Sequence, residues 1–235
     1  MGRVFEKRKH KMFARYSKMA KQFTRIGKEI AIAVRLAGPD PAGNPRLRMA
    51  IQNSKSVNMP KDRVDAAIKR AVSKDTENYE EITYEGYAPH GIAVVVECAT
   101  DNNTRTVANI RMYFSRGNGS LGKTGSLDFL FDRKGIFKLK KEGQNVEDLE
   151  LDLIDFGAEE VFEDEGEIFV YTSFQNYGAM LKALEEKKIE VISSELQRIP
   201  TNTVQLDENQ MKEVEHLIEK IEEDDDVQAV YHNMA

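Results

Sequence analysis

Lys18, Lys21, Arg25 and Lys28 recur at three- and four-residue steps, a spacing that gathers their charges along one side of a helix. Ammonium and guanidinium groups so placed neutralise phosphates, and they need no bond-making partner to do it. Arg46, Arg48, Lys61, Arg63, Lys69 and Arg70 carry the same chemistry into the residues that follow. Most basic amphipathic helices simply solvate their polar face. Here Glu29 is the only acid between Lys7 and Asp40, so the Glu–Lys pairs that commonly support a surface helix are scarce.

A second candidate is Gly117-Asn118-Gly119-Ser120-Leu121-Gly122, which has the G-x-G-x-x-G form. A dinucleotide site of that form needs a strand before it and a helix after it, so that the pyrophosphate meets a helix N-terminus. Here a helix is expected before and a strand after, which favours a flexible glycine loop. Arg116, Gly117, Gly119, Gly122, Lys123 and Gly125 would let backbone and cations approach an RNA or protein surface. The remaining chemistry is sparse. His10, His90, His216 and His232 are scattered, Cys98 lies in a strand expected to be buried, and neither set has metal-ligand spacing. Glu222-Glu223-Asp224-Asp225-Asp226 lacks the alternation and glycine of a calcium loop and reads as a solvated helix end. No nucleophile–base pair can be named. The expectation is a non-enzyme with no cofactor, no metal and no small-molecule substrate.

Charge is distributed unevenly along the 235 residues. The whole chain has 34 Lys and Arg against 40 Asp and Glu, for a net charge of −6. Residues 1–74 hold 19 basic and 5 acidic side chains, while the remainder holds 15 basic and 35 acidic. A cationic first third fused to an anionic remainder points to a polyanion partner for the first third. The acidic part limits non-specific adhesion by the rest. One cysteine permits no internal disulfide, and no apolar run approaches the roughly 18 residues of a membrane span. No apolar signal segment is seen. These features predict a soluble, cytoplasmic protein with no membrane partner.

The elements that must position these residues follow from periodicity. A helix is predicted over Phe13–Arg35, with Tyr16, Met19, Ala20, Phe23, Ile26, Ile30 and Val34 on its apolar face. Lys18, Lys21, Arg25, Lys28 and Arg35 lie opposite, and the same wheel extended backwards adds Lys7 and Lys11. Gly38-Pro39-Asp40-Pro41-Ala42-Gly43 reverses the chain, and Asn44-Pro45 reads as an N-cap followed by proline at the first helical position. That second helix turns Leu47, Ala50, Ile51 and Ser54 inward. Asn58 supplies a left-handed stop and Pro60 opens a third helix with Val64, Ala67, Ile68 and Ala71 as its stripe. The bundle is expected to end near Lys74.

Strands and helices alternate afterwards. A buried strand is predicted at residues 91–99, a helix after it, and an alternating strand over Ser126–Phe131. Residues 133–199 read as β-α-β-β-α-β, the ferredoxin-like order. A further strand at Thr203–Leu206, a helix at Asp207–Glu223 and a strand at Val227–His232 have no second half of their own. The predicted fold is therefore α+β: a basic three-helix bundle over residues 1–75, a split ferredoxin-like domain over 76–132 plus 200–235, and a complete one over 133–199 inserted in it.

Several short motifs also occur in one order: Asp40-Pro41 through Asn44, Arg46-Leu47-Arg48 with Ala50-Ile51, and Asn58-Met59-Pro60-Lys61-Asp62 with Ala67-Ile68-Lys69. Tyr84-Glu85-Gly86-Tyr87, Thr100-Asp101-Asn102 with Arg105-Thr106, Leu121-Gly122, Gly125-Ser126 and Arg133-Lys134-Gly135 continue the series. In these the chain resembles the YebC/PmpR family, described as transcriptional regulators and including a mitochondrial activator of cytochrome oxidase translation. The resemblance covers most of residues 16–135 and thins out afterwards. It implies a helical first domain and two α+β domains, the third inserted in the second, and a DNA-binding regulator. Other members look like ribosome-associated factors that help synthesis through consecutive prolines. Gly2-Arg3-Val4-Phe5-Glu6 replaces the family's usual Gly-His-Ser-Lys-Trp opening, and His90 and Asn118 stand where the family usually has glycine.

Three functions stay open at this point. One is a nucleic-acid-binding transcriptional regulator. Another is a translation factor on ribosomal RNA, and a third is an adaptor that binds only proteins through its acidic domains. No base-reading recognition helix and no paired aromatics for base stacking are evident, so backbone and shape recognition of DNA or RNA is expected.

Overall fold

Asn44 joins the first two helices from both sides. Its side-chain carbonyl accepts from the Leu47 amide at 3.0 Å, and its amide donates to the Ala33 and Gly38 carbonyls at 2.7 and 2.8 Å. The N-cap expected from sequence thus also ties up the carbonyls at the end of the preceding helix. The computed structural model describes residues 3–73, 78–141 and 143–235, with side chains described from residue 18 onward. The Tyr16, Lys7 and Lys11 side chains, and the boundary expected at 74–76, lie outside the described residues.

The chain divides into two units, Met1–Glu80 and Glu81–Ala235. The first unit contains helices α1 (Arg3–Ala37), α2 (Pro45–Ser56) and α3 (Lys61–Val72). Helix α1 starts earlier than the predicted Phe13. Asn58 has φ 55°, the left-handed stop expected before Pro60. Helices α2 and α3 both pack on α1. The core contains Ile26, Ile30, Val34, Leu47, Ala50 and Val64, with Tyr79 packed against it. Met49, which was not assigned inward, is also buried.

The second unit has two four-stranded sheets. The first has the order β3-β1-β2-β8, with β1 Glu80–Tyr87, β2 Ala93–Thr100, β3 Ser120–Leu121 and β8 Val227–His232. Helices α4 (Asn103–Arg116) and α7 (Glu208–Glu222) cover one face, where Ile110, Phe114, Leu217 and Ile221 meet Val94, Val96 and the buried Cys98. The second sheet has the order β5-β6-β4-β7, with β4 Phe131–Lys140, β5 Ala158–Asp164, β6 Glu167–Ser173 and β7 Val191–Pro200. Its neighbouring strands pair antiparallel, and α5 (Val146–Leu153) and α6 (Tyr177–Glu186) complete the ferredoxin-like order expected at 133–199. Phe131 pairs with Pro200, so the chain enters and leaves this sheet side by side.

Three expectations need correction. Strand β1 was not anticipated. The strand expected at Ser126–Phe131 is instead a turn and a 3₁₀ segment at Asp128–Leu130. Its amides are drawn elsewhere: Gly125 and Leu127 donate to the Glu85 carboxylate at 2.7 and 2.6 Å. The strand expected at Thr203–Leu206 reduces to one parallel bridge between Val204 and Met234.

His90 and Asn118 have φ 63° and 57°. Both lie in the left-handed region that glycine occupies without penalty, which explains why glycine suits those two positions.

Candidate nucleic-acid interface

Helices α1 to α3 carry the cations, and the structure sorts them by exposure. Lys18, Lys61, Arg63, Lys69 and Arg70 are exposed, while Lys21, Arg25, Arg46 and Arg48 are half-buried. Lys28 is buried, with 7% of its surface exposed, and its Nζ lies 5.1 Å from the centroid of the Tyr79 ring. The expectation that Lys28 faces solvent is therefore corrected. The helical wheel places it opposite Ile26 and Ile30, but Tyr79 packs on that side. The Tyr79 ring offers the buried ammonium a favourable electrostatic contact.

Two other cations have local duties. The Arg48 guanidinium donates from Nη1 to the Pro41 and Ala42 carbonyls at 2.8 and 3.0 Å, bracing the turn between α1 and α2. The Arg63 guanidinium lies 5.8 Å from the Phe23 ring centroid, which holds an exposed charge in a preferred position. Every polar side chain exposed on α3 is charged: Lys61, Asp62, Arg63, Asp65, Lys69 and Arg70. Such a face offers point charges to phosphates.

The glycine loop belongs to the second unit. Gly117 donates to Tyr113 at 2.9 Å, Gly119 to Phe114 at 2.8 Å and Gly122 to Glu85 at 2.7 Å, and Gly125 donates to the Glu85 side chain. Backbone amides spent this way cannot cradle a phosphate. The glycines serve close approach instead. A Cβ on Gly119 would meet the Tyr87 carbonyl oxygen at 2.5 Å, and one on Gly117 would meet Leu217 at 2.8 Å. The loop is pinned to β1 and α7, which corrects the expectation of a flexible one. Arg116 and Lys123 remain exposed at its ends.

Three carboxylates have roles that the sequence reading missed. Glu85, 1% exposed, organises the loop just described. Asp226, 4% exposed, accepts from the Thr100 hydroxyl at 3.1 Å, the Thr106 hydroxyl at 2.8 Å and the Arg105 guanidinium at 2.6 Å. Asp224 accepts from Asn109 at 2.9 Å and from the Tyr113 hydroxyl at 3.1 Å. Burial, with Asp224 nearby, raises the Tyr113 hydroxyl above its ordinary value. The acidic run was expected to be a solvated helix end, but Asp224 and Asp226 bind the chain's own donors. The signal available beforehand was the clustering of Thr100, Arg105 and Thr106 far earlier in the sequence.

Among the described residues, no group of three or more His, Cys, Asp or Glu side chains is placed to hold a metal ion, and no helix is long and apolar enough to cross a membrane.

Comparison with known proteins covers nearly the whole chain. The TACO1/YebC protein N-terminal domain matches residues 3–74, and the TACO1/YebC second and third domain matches residues 79–234. A probable transcriptional regulatory protein of Cytophaga hutchinsonii is 59% identical over 235 residues, spanning 100% of this chain and 99% of that protein. One from Flavobacterium johnsoniae is 58% identical over 234 residues, with the same coverage. The crystal structure of a conserved hypothetical protein from Aquifex aeolicus superposes with a TM-score of 0.78 at 37% identity, covering 92% of this chain and 90% of that one.

Proposed function

The chain belongs to the TACO1/YebC family, and from that premise we propose that it is a non-enzymatic regulator of gene expression that binds nucleic acid through the phosphate backbone. The observation that carries this reading is the exposed set Lys18, Lys61, Arg63, Lys69 and Arg70 on a unit with a large excess of positive charge. Lys21, Arg25, Arg46 and Arg48 supplement it from the half-buried margin, and Lys28 supports the fold beneath. The names of the relatives, probable transcriptional regulatory proteins, favour a regulatory role.

Phosphate contacts position a protein without reading sequence. A folded RNA offers the same backbone as a duplex. The all-charged exposed polar surface of α3 therefore favours shape and backbone recognition, which suits ribosomal RNA at least as well as a promoter.

The test is a salt titration of the full chain on duplex DNA and on a structured RNA, repeated with Lys61→Glu/Lys69→Glu/Arg70→Glu. Wild type should lose affinity with rising salt, with a log–log slope of about −0.9 per phosphate contact on duplex DNA. The variant should keep its fold and bind at least tenfold more weakly. Unchanged affinity in a folded variant would exclude this face. No binding by wild type to either nucleic acid would leave the protein-only adaptor. Preference for RNA at equal salt would support the translational role over the transcriptional one.

A further inference from the structure

The ferredoxin-like sheet has two faces. Phe137 on β4 stacks on Tyr177 of α6 with ring centroids 4.9 Å apart, which marks the face covered by helices. Alternation along β6 puts Ile168 and Val170 on that buried face and Phe169 and Tyr171 on the other. Phe162 of β5 pairs in register with Phe169, and the two rings stack at 5.5 Å with 14° between their planes. Phe162 also meets Tyr171 edge-on at 5.4 Å. Three aromatic rings thus form one platform on the open face, although no paired aromatics are evident from spacing along the chain. Phe162 retains 37% exposure.

A four-stranded sheet with aromatics on one face is the arrangement on which RNA-recognition modules stack bases. Charge decides against that occupant here. Residues 131–200 hold 17 acidic and 9 basic side chains. Lys138 and Lys134, on the same face, are already paired with Glu167 and Glu159. Register puts two further carboxylates around the platform: Glu160 pairs directly with Tyr171, and Glu195 pairs with Ile136, the partner of Tyr171 on β4. A phosphate backbone would meet repulsion at this rim.

We propose that the open face of the β5-β6-β4-β7 sheet is a docking site for an arginine-rich polypeptide segment of a partner protein. Guanidinium groups stack on the Phe162, Phe169 and Tyr171 rings while Glu160 and Glu195 pair with their charge. The chain already contains one example of the contact, since Lys138 Nζ lies 5.7 Å from the Phe169 ring centroid. Carboxylates at the rim and rings at the centre match a cation that is flat, weakly hydrated and able to donate at its edges. This site is independent of the cationic unit, and its failure would leave the nucleic-acid reading untouched.

The experiment is an NMR titration of the isotope-labelled full chain with a short peptide of alternating arginine and serine, and separately with a short single-stranded oligouridylate. The peptide should move the amides of β5 and β6 first. Phe162→Ala should weaken it about threefold or more without changing net charge. Glu160→Gln/Glu195→Gln, two exposed isosteric changes that leave the rings in place, should weaken it comparably with an unchanged thermal midpoint. Shifts scattered over the acidic surface, with affinity unaffected by either variant, would overturn the proposal. So would an oligouridylate that moves the β5 and β6 amides at equal or lower concentration, which would assign the platform to RNA.

Discussion

The Asp226 carboxylate receives the Arg105 guanidinium at 2.6 Å, across 121 residues of chain. Asp226 is nearly inaccessible, with 6% of its side chain exposed, whereas Arg105 keeps 47%. The pair, with the two threonine hydroxyls, fixes the end of α7 and the start of β8 against the N-terminal turn of α4. The bonds to Asp226 and Asp101 hold Arg105 well above its ordinary pKa, so the guanidinium keeps its charge.

Asp226→Ala should lower stability by about 3 kcal/mol, because it strands buried hydroxyl donors and one end of a charged pair. Urea denaturation measures this. Asp225→Ala, an exposed neighbour, should cost far less. Equal losses at the two positions would refute the assignment of Asp226 as the anchor.

Glu85→Gln should loosen the loop ahead of β4. The carboxylate accepts from two amides, and a carboxamide can replace only one oxygen, turning an N–H toward the second amide. The expected cost is about 2 kcal/mol. Hydrogen exchange should accelerate at Gly125 and Leu127 well before it does in the β2–β8 pairing. Uniform acceleration across the sheet would contradict this local role.

Burial holds the His232 imidazole below its ordinary value of 6.5, only partly offset by the Met234 backbone and the Glu222 charge. Its Nδ1 has no hydrogen-bond partner among the described residues. As pH falls through 6.5 the unfolded chain takes up a proton that the folded chain resists. Stability therefore rises with pH through a window whose upper edge is near 6.5, and the contribution is level above it. His232→Gln should flatten that part of the pH–stability curve. Thermal midpoints that fall equally in both proteins between neutral and mildly acidic pH would disprove it.

Lys28 and Lys61 should separate stability from binding. Lys28→Ala removes a buried stem and the contact with Tyr79, and should cost about 1–2 kcal/mol while leaving the salt dependence of nucleic-acid binding in place. Lys61→Ala should leave stability within about 0.5 kcal/mol and reduce the salt slope by about one contact. The comparison needs one chemical melt and one salt titration for each variant.

Local pattern alone determined a great deal about this protein. The charge contrast between residues 1–74 and the rest is a property of composition. Asn44-Pro45, Asn58 and Asp207 mark helix boundaries through interactions spanning only a few residues, so their caps and stops were legible. The alternation over residues 133–199 foretold the ferredoxin-like order, because crossover rules leave few ways to arrange six such elements.

What only the tertiary structure decided lies at contacts between distant residues. A wheel gives the side on which Lys28 projects, but Tyr79 decides whether that side meets water. The strand expected at Ser126–Phe131 has suitable alternation, yet the amides of Gly125 and Leu127 go to Glu85, forty residues earlier or more. Asp226 reads like the rest of its acidic run until α4 brings Thr106 and Arg105 to it. Phe162, Phe169 and Tyr171 are ordinary strand aromatics until the register of β5 on β6 puts them on one face. Periodicity encodes which way a side chain points, whereas what it meets there depends on register and packing between segments far apart in the chain.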